Sequence, residues 1–418
     1  MSINEKCITE TEILDENNNK LKMYHKWEDY SLDDDLVRGI YNMGFETPSH
    51  IQKVAIKPII DGRDIRAQAQ SGTGKTGAFA IGSLQCLDKT LNCTQVLVIV
   101  STREIAAQNA SRFRDFSMYM GINVCLLSGG SSVAQDISNL ECCPHVVVGT
   151  PGRVDQMIQE GYLKTDKVKL FVIDEADEML QAGFQDQVKS IFKSLNRKTV
   201  QIAMFSATYE EEELRVSEEV LKDPVVIDLR QDRQTLAGIQ QFYINLGPDN
   251  SHKKDDYTLK CATLVDLLRN YSFGQTVIFV TSKMKAAFIY SGLCDQKIPC
   301  ELISSDLTQT ERVEVLNRFR SGANRILISS GLLSRGVDIQ NLSVVFCLDV
   351  PAENKKSTYI HRIGRSGRYG KKGFAINILS DHEFNNLKKI EKFYNTKIVQ
   401  LTNTHLEQFK INNEKEIN

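Results

Sequence analysis

This 418-residue sequence is short of three things, and each shortage excludes something. Charge of one sign is lacking: 51 Lys and Arg stand against 53 Asp and Glu, a formal net of −2. A generally cationic surface for holding nucleic acid is therefore excluded, although a local basic patch is not. Long apolar runs are lacking too. No stretch approaches the about 18 residues of a membrane-spanning helix, and the polar amino-terminal stretch does not read as a signal peptide. Ten cysteines are present, but there is no CxxC pair and no His/Cys metal spacing; apart from Cys142-Cys143 they are scattered singly. Zinc sites and a disulfide framework are disfavoured, and buried free thiols in a reducing, intracellular compartment are expected.

What is present is one texture, used twice. At 41% hydrophobic and 25% charged, the chain has a globular composition and enough length for two domains. Residues 1–22 are polar and read as a flexible extension. Then short β-branched runs appear, VLVIV (96–100), HVVVG (145–149), KLFVI (169–173) and QIAMFS (201–206), alternating with amphipathic stretches such as QDQVKSIFKSL (185–195). Continuous apolar strands separated by helical patterns predict a parallel sheet covered on both faces. The texture restarts with TVIFV (276–280), RILIS (325–329), VVFCLD (344–349) and FAINIL (374–379). The expected class is α/β, with two tandem doubly wound lobes at 23–229 and 241–401. Residues 230–240 form a flexible linker, 247–256 a surface loop and 402–418 a polar, frayed tail. The acidic run Glu210–Glu213 reads as a solvated helix face.

Four segments carry chemistry. AQAQSGTGKTGAF (67–79) joins a strand-like segment to a helix. The small residues Ser71, Gly72, Thr73 and Gly74 would let backbone N–H groups approach a phosphate, with Lys75 reaching the β/γ-phosphates and Thr76 offering its hydroxyl to Mg²⁺. Ala69 stands where a strict phosphate loop has glycine, and a ligand-free glycine-rich turn is the plain alternative. Asp174-Glu175-Ala176-Asp177 ends the run KLFVI. At a strand end in an α/β sheet, Asp174 can hold Mg²⁺ through water and Glu175 can orient and deprotonate an attacking water. Ser206 and Thr208 end the strand QIAMF, where their hydroxyls could bond the neighbouring carboxylates. The fourth segment, HRIGRSGR (361–368), concentrates positive charge. On a helix, His361, Arg365 and Arg368 fall within about 60° of one another and Arg362 points elsewhere, while Gly364 and Gly367 argue against a long helix. An exposed basic face is one reading. A guanidinium finger for a transferring phosphoryl group is the other, favoured because the first lobe has loop, metal ligand and base but no such finger.

These stretches, in this order, resemble a DEAD-box ATP-dependent RNA helicase across roughly residues 24–400. The resemblance implies two RecA-like lobes, ATP and Mg²⁺ as cofactors, and ATP hydrolysis coupled to RNA. It extends to WEDYSLDDDLVRGIYNMGFETPSHIQ, similar to an adenine-sensing Q motif, which implies that Phe45 stacks on adenine, Gln52 reads its edge and Trp27 buttresses both. STREIAAQ (101–108), SGG (128–130) and TPGR (150–153) match first-lobe RNA motifs, and QTER (309–312) and SSGLLSRGVD (329–338) match second-lobe ones. The implied RNA contacts are Thr102, Arg103, Gly129, Gly130, Thr150, Pro151, Gly152, Arg153, Arg312 and Ser330. By the same pattern Asp338 contacts the ribose, Arg365 and Arg368 reach the γ-phosphate, and His361 links across the lobes to Asp177.

The whole-chain match is nearest to the subgroup of translation initiation factor 4A and its exon-junction relative. It departs from the pattern at Ser101, Ser304-Ser305, Gly331 and Ser334, which bear on RNA affinity and partner docking more than on hydrolysis. The expected protein is a cytoplasmic monomer, with the nucleus possible, that binds RNA without sequence preference. It would unwind short duplexes in translation initiation, with a scaffold protein as partner. An ATP-locked RNA clamp of the exon-junction type, a role in rRNA processing and a DNA translocase are the alternatives.

Overall fold

The computed structural model describes residues 22–70, 72–180, 184–229, 239–247, 253–304, 306–330, 342–351, 356–366 and 373–409. The chain divides into two compact units, Met1–Gln231 and Asp232–Asn418.

Lobe one holds seven parallel strands: β1 (Ile65–Gln68), β2 (Val96–Ile99), β3 (Val124–Leu127), β4 (Val146–Gly149), β5 (Leu170–Asp174), β6 (Gln201–Ser206) and β7 (Val225–Asp228). Their order is β3-β4-β2-β5-β6-β1-β7. The helices are α1 (Asp34–Asn42), α2 (His50–Ile60), α3 (Lys75–Gln85), α4 (Arg103–Phe116), α5 (Val133–Glu141), α6 (Pro151–Gln159), α7 (Ala176–Met179), α8 (Gln185–Ser194) and α9 (Glu211–Val220). Successive side chains of a strand point to opposite faces. Accordingly Val96 and Val98 enter one core with Phe79 and Phe113, while Leu97 and Ile99 enter another with Val154 and Ile191.

Lobe two repeats the plan with β8 (Ile239–Asn245), β9 (Thr276–Phe279), β10 (Glu301–Ile303), β11 (Ile326–Ser329), β12 (Val344–Cys347), β13 (Gly373–Leu379) and β14 (Ile398–Gln400), in the order β10-β11-β9-β12-β13-β8-β14. Its helices are α10 (Lys253–Asn270), α11 (Lys283–Asp295), α12 (Gln309–Arg320), α13 (Lys356–Ile363), α14 (Asp381–Phe393) and α15 (Asn403–Leu406).

Several local expectations need correction. Strand β8 begins at Ile239, inside the stretch read as linker, and helix α10 begins at Lys253, inside the stretch read as loop. The segment after Leu401 is not simply frayed: Leu406 is buried, and the Phe409 ring packs on Phe273 and Phe374 at 5.0 and 4.8 Å. Glu213 is buried rather than solvated, because its carboxylate accepts the Glu210 N–H at the start of α9 (2.6 Å). The nine described cysteines are all free, yet Cys142, Cys143 and Cys294 are exposed. The amino-terminal extension and most of the linker lie outside the described residues.

Candidate functional site

Strand order assembles the site in lobe one. The carboxyl ends of β1, β6 and β5 lie side by side, with Gln68 opposite Ser206 and Asp174 opposite Phe205. The phosphate-loop-like turn after β1, the SAT segment after β6 and the DEAD segment after β5 are therefore neighbours. The other half of the same edge, β2, β4 and β3, leads into Thr102, Thr150 and Ser128-Gly130, and β2 pairs directly with β5.

Gly74, at the end of the phosphate-loop-like segment, is docked against the start of α2. Gly74 caps α3 with φ +105°, a conformation that favours glycine. A Cβ there would come within 2.5 Å of Ser49 Oγ and 2.9 Å of Gln52 Nε2. Gln52, itself buried, donates from Nε2 to the Gly74 carbonyl (3.2 Å) and accepts the Ser49 N–H (2.8 Å). Trp27 is fully buried and its indole donates to the Phe45 carbonyl (2.8 Å), while the Phe45 ring stands edge-on to Phe116. Buried Lys75 donates to the Ala69 carbonyl (2.9 Å), closing the turn on itself.

Asp174 is buried at the end of β5. Burial, and then the Glu175 carboxylate, push its pKa up to about 6, against the opposing pull of Lys75 and of a hydrogen bond from Asn109. Its Oδ1 accepts the Glu175 N–H (3.1 Å) and its Oδ2 accepts from Asn109 Nδ2 (3.1 Å). The Thr76 hydroxyl reaches Asn109 Oδ1 at 3.4 Å. Glu175 occupies the left-handed region at φ 54° and ψ 53°, which is strained for a residue with a Cβ. Thr208 Oγ1 donates to Asp177 Oδ2 (2.9 Å), whereas Ser206 Oγ accepts the backbone N–H groups of Asp177 and Thr208 (3.3 Å each). One of the two hydroxyls thus meets a carboxylate, and the other organises backbone.

On the other half of the edge, Thr102 caps α4 by accepting the Ile105 N–H (3.3 Å). The Arg103 guanidinium covers Gly129 and Gly130, so that a Cβ on Gly130 would fall 2.4 Å from its Nη1. Thr150 is the N-cap of α6, with Pro151 at its first turn and Gly152 following in open space. Arg153 is turned inward: it pairs with buried Asp136 and donates to the Ser131 carbonyl (3.1 Å). Ser101 is buried, and its hydroxyl has no hydrogen-bond partner among the described residues.

In lobe two, Arg312 lies on α12 and donates from Nε to the Leu307 carbonyl (3.1 Å), and Ser330 follows β11 half-buried. His361 and Arg362 lie in the last turn of α13. The helix ends at Ile363, so Arg365 sits past it and folds back to donate from Nε to the His361 carbonyl (3.0 Å). Arg362, unassigned by sequence, anchors the helix by donating to the Asp349 carbonyl (2.8 Å) with its guanidinium over the Phe279 ring. Ser71, Asp338, Arg368, Gly331 and Ser334 lie outside the described residues.

Asn109 was missed by sequence reading. A signal existed: it occupies the buried face of α4 with Ile105, Ala106, Ala110, Phe113 and Phe116, where an amide is out of place without a partner.

Residues 49–216 match the DEAD/DEAH box helicase family, and residues 259–370 match the helicase conserved C-terminal domain. The ATP-dependent RNA helicase eIF4A of Encephalitozoon cuniculi is 63% identical over 382 residues, covering 90% of each chain. That of Candida albicans is 44% identical over 377 residues, covering 90% of this chain and 92% of its own. Among solved structures, S. cerevisiae Dbp5 bound to RNA and ADP BeF3 is 30% identical at a TM-score of 0.81, covering 90% of this chain and 95% of that one. Mss116p bound to ssRNA and AMP-PNP shares the fold at 23% identity and a TM-score of 0.77. With phosphate loop, DEAD and SAT segments adjoining on one sheet edge and two tandem RecA-like lobes, the chain belongs to the DEAD-box ATP-dependent RNA helicases and is eIF4A-like.

Proposed function

We propose that this ATPase is stimulated by RNA, separates short RNA duplexes and serves translation initiation in the cytoplasm, as a monomer working with a scaffold protein. The observation that carries this reading is the division of one sheet edge. The β1-β6-β5 half bears the nucleotide segments, the β2-β4-β3 half bears Thr102-Arg103, Gly129-Gly130 and Thr150-Gly152, and the β2–β5 pairing joins them. The relatives named eIF4A support the role in initiation.

In this reading Phe45 and Gln52, with Trp27 behind them, hold the adenine. The turn Ser71–Gly74 and Lys75 hold the phosphates, and Asp338 the ribose. Glu175 is the base that takes the proton of the attacking water. Thr76 and Asp174 offer hydroxyl and carboxylate oxygens, the hard donors that Mg²⁺ prefers, and are the residues that would hold it. When bound with ATP, the ion neutralises charge developing on the phosphates. Arg365 and Arg368 stabilise the transferring γ-phosphoryl group, and His361 communicates with Asp177 and the Ser206-Thr208 segment. Hydrolysis then needs both lobes to act on one nucleotide.

RNA is held through phosphates and 2′-hydroxyls by main-chain N–H groups, hydroxyls and the few cations Arg103 and Arg312, with Ser330 in lobe two. Arg153 contributes through the loops it clamps. Few, well-placed cations suit a chain of near-zero net charge, and base specificity is accordingly low.

A strand-release assay tests the proposal. A short RNA duplex should separate with ATP and stay paired without it, and a DNA duplex of equal length should not separate. ATP-independent separation, or long retention of RNA with no separation at all, would contradict it.

A further inference from the structure

We infer that Asn109 is a positioning residue, fixing the orientation of the Thr76 hydroxyl and the Asp174 carboxylate, the two groups assigned above to Mg²⁺. The inference rests on that assignment and adds a residue to it.

Asn109 is fully buried on the apolar face of α4. Packing alone asks for an aliphatic side chain there, and a buried amide is unfavourable unless both its ends are bonded. Both ends are engaged with the two expected metal ligands, which come from different elements. Nδ2 donates to Asp174 Oδ2 at the end of β5 (3.1 Å), and Oδ1 faces the Thr76 hydroxyl in the first turn of α3 (3.4 Å). The direction of the amide is dictated by chemistry. An ionised carboxylate only accepts hydrogen bonds, so the NH₂ end must face Asp174 and the carbonyl end must face Thr76.

Two consequences follow for ligation. The Thr76 hydroxyl has an acceptor for its proton, which leaves its lone pairs available to a cation. Asp174 has a fixed donor on each oxygen, Glu175 N–H on Oδ1 and Asn109 Nδ2 on Oδ2, so the plane of its carboxylate is set while further lone pairs stay open. Hydrogen bonds of this kind, made to a ligand rather than to the ion, typically alter metal affinity about 10–100-fold.

The test is equilibrium binding of a fluorescent ADP across a Mg²⁺ series and in excess EDTA, with wild type, Asn109→Leu and Thr76→Ala compared. Leucine keeps the branched skeleton and the helix while removing both bonds. For Asn109→Leu, the Mg²⁺ concentration giving half the metal-dependent gain in affinity should rise roughly tenfold or more, while affinity in EDTA stays at the wild-type value. A general packing defect would instead weaken binding in EDTA as well. If Thr76→Ala shifts the Mg²⁺ curve and Asn109→Leu does not, the role of Asn109 is overturned. If neither shifts it, the metal assignment itself fails. Should the leucine variant not fold, as judged by its thermal melt, Asn109→Ala is read by the same criteria.

Discussion

Gln52 joins the amino-terminal Q region to the phosphate loop directly, its Nε2 donating to the Gly74 carbonyl at 3.2 Å while its Oε1 accepts the Ser49 N–H. The side chain proposed to read the adenine edge therefore also holds the shape of the loop. Gln52→Ala should raise the Kd for ATP and, by removing a helix cap and a loop bond, lower stability by about 1–2 kcal/mol. Nucleotide titration and thermal melting check the two effects. A weakened site with an unchanged melt would separate Gln52 from the loop.

Asp174 links stability to pH. Its pKa is raised, chiefly by burial, from 3.8 to about 6. Between those values the folded chain holds a proton that the unfolded chain has lost, so this group's contribution to stability falls as pH rises through that window. Above about pH 6 the penalty is complete, on the order of 2–3 kcal/mol. Asp174→Asn should therefore melt higher than wild type at pH 7.5 without nucleotide, and the gain should vanish near pH 4. The same substitution should abolish hydrolysis. A gain that persists at low pH would place its origin elsewhere.

The ion pair Arg153–Asp136 is buried on both sides. Asp136→Ala leaves a buried guanidinium uncompensated and should cost about 3–5 kcal/mol, whereas Arg153→Met with Asp136→Leu should recover most of it. Because Arg153 faces inward, Arg153→Met should weaken RNA binding without changing the slope of log affinity against log salt. A direct phosphate contact would reduce that slope by about one. Denaturant melts and salt-dependent RNA titrations read these outcomes.

Arg365, just past the end of α13, folds back to donate from Nε to the His361 carbonyl, and its guanidinium is the group proposed to meet the transferring phosphoryl group. Arg365→Ala should lower turnover about 10³-fold or more while ATP affinity changes little. Single-turnover hydrolysis with a parallel binding titration measures both. Normal turnover would remove Arg365 from the reaction.

Interior strands buried on both faces, such as VLVIV and QIAMFS, were legible as continuous apolar runs, whereas interior β1 (Ile65–Gln68) and β8 (Ile239–Asn245) carry polar residues and lack one. The edge strands β10 and β14 pair on one side only, are three residues long and include Glu301 and Gln400, so no such run marks them. The start of α10 was hidden by its charged first residues, which read as loop. Within the site, the segments proposed to hold phosphates and metal are recognisable because that chemistry restricts residue type. What sequence did not show was which polar groups serve the fold instead. Arg153 turns into an ion pair, Arg362 anchors α13, and Asn109 enters the site from a helix face that otherwise reads as core.

The central claim is that RNA gates hydrolysis, and steady-state phosphate release by the whole chain tests it most directly. With saturating ATP and Mg²⁺, the rate should be low alone, should rise many-fold on adding single-stranded RNA, and should not rise with DNA of the same length. Equal rates with and without RNA would contradict the account.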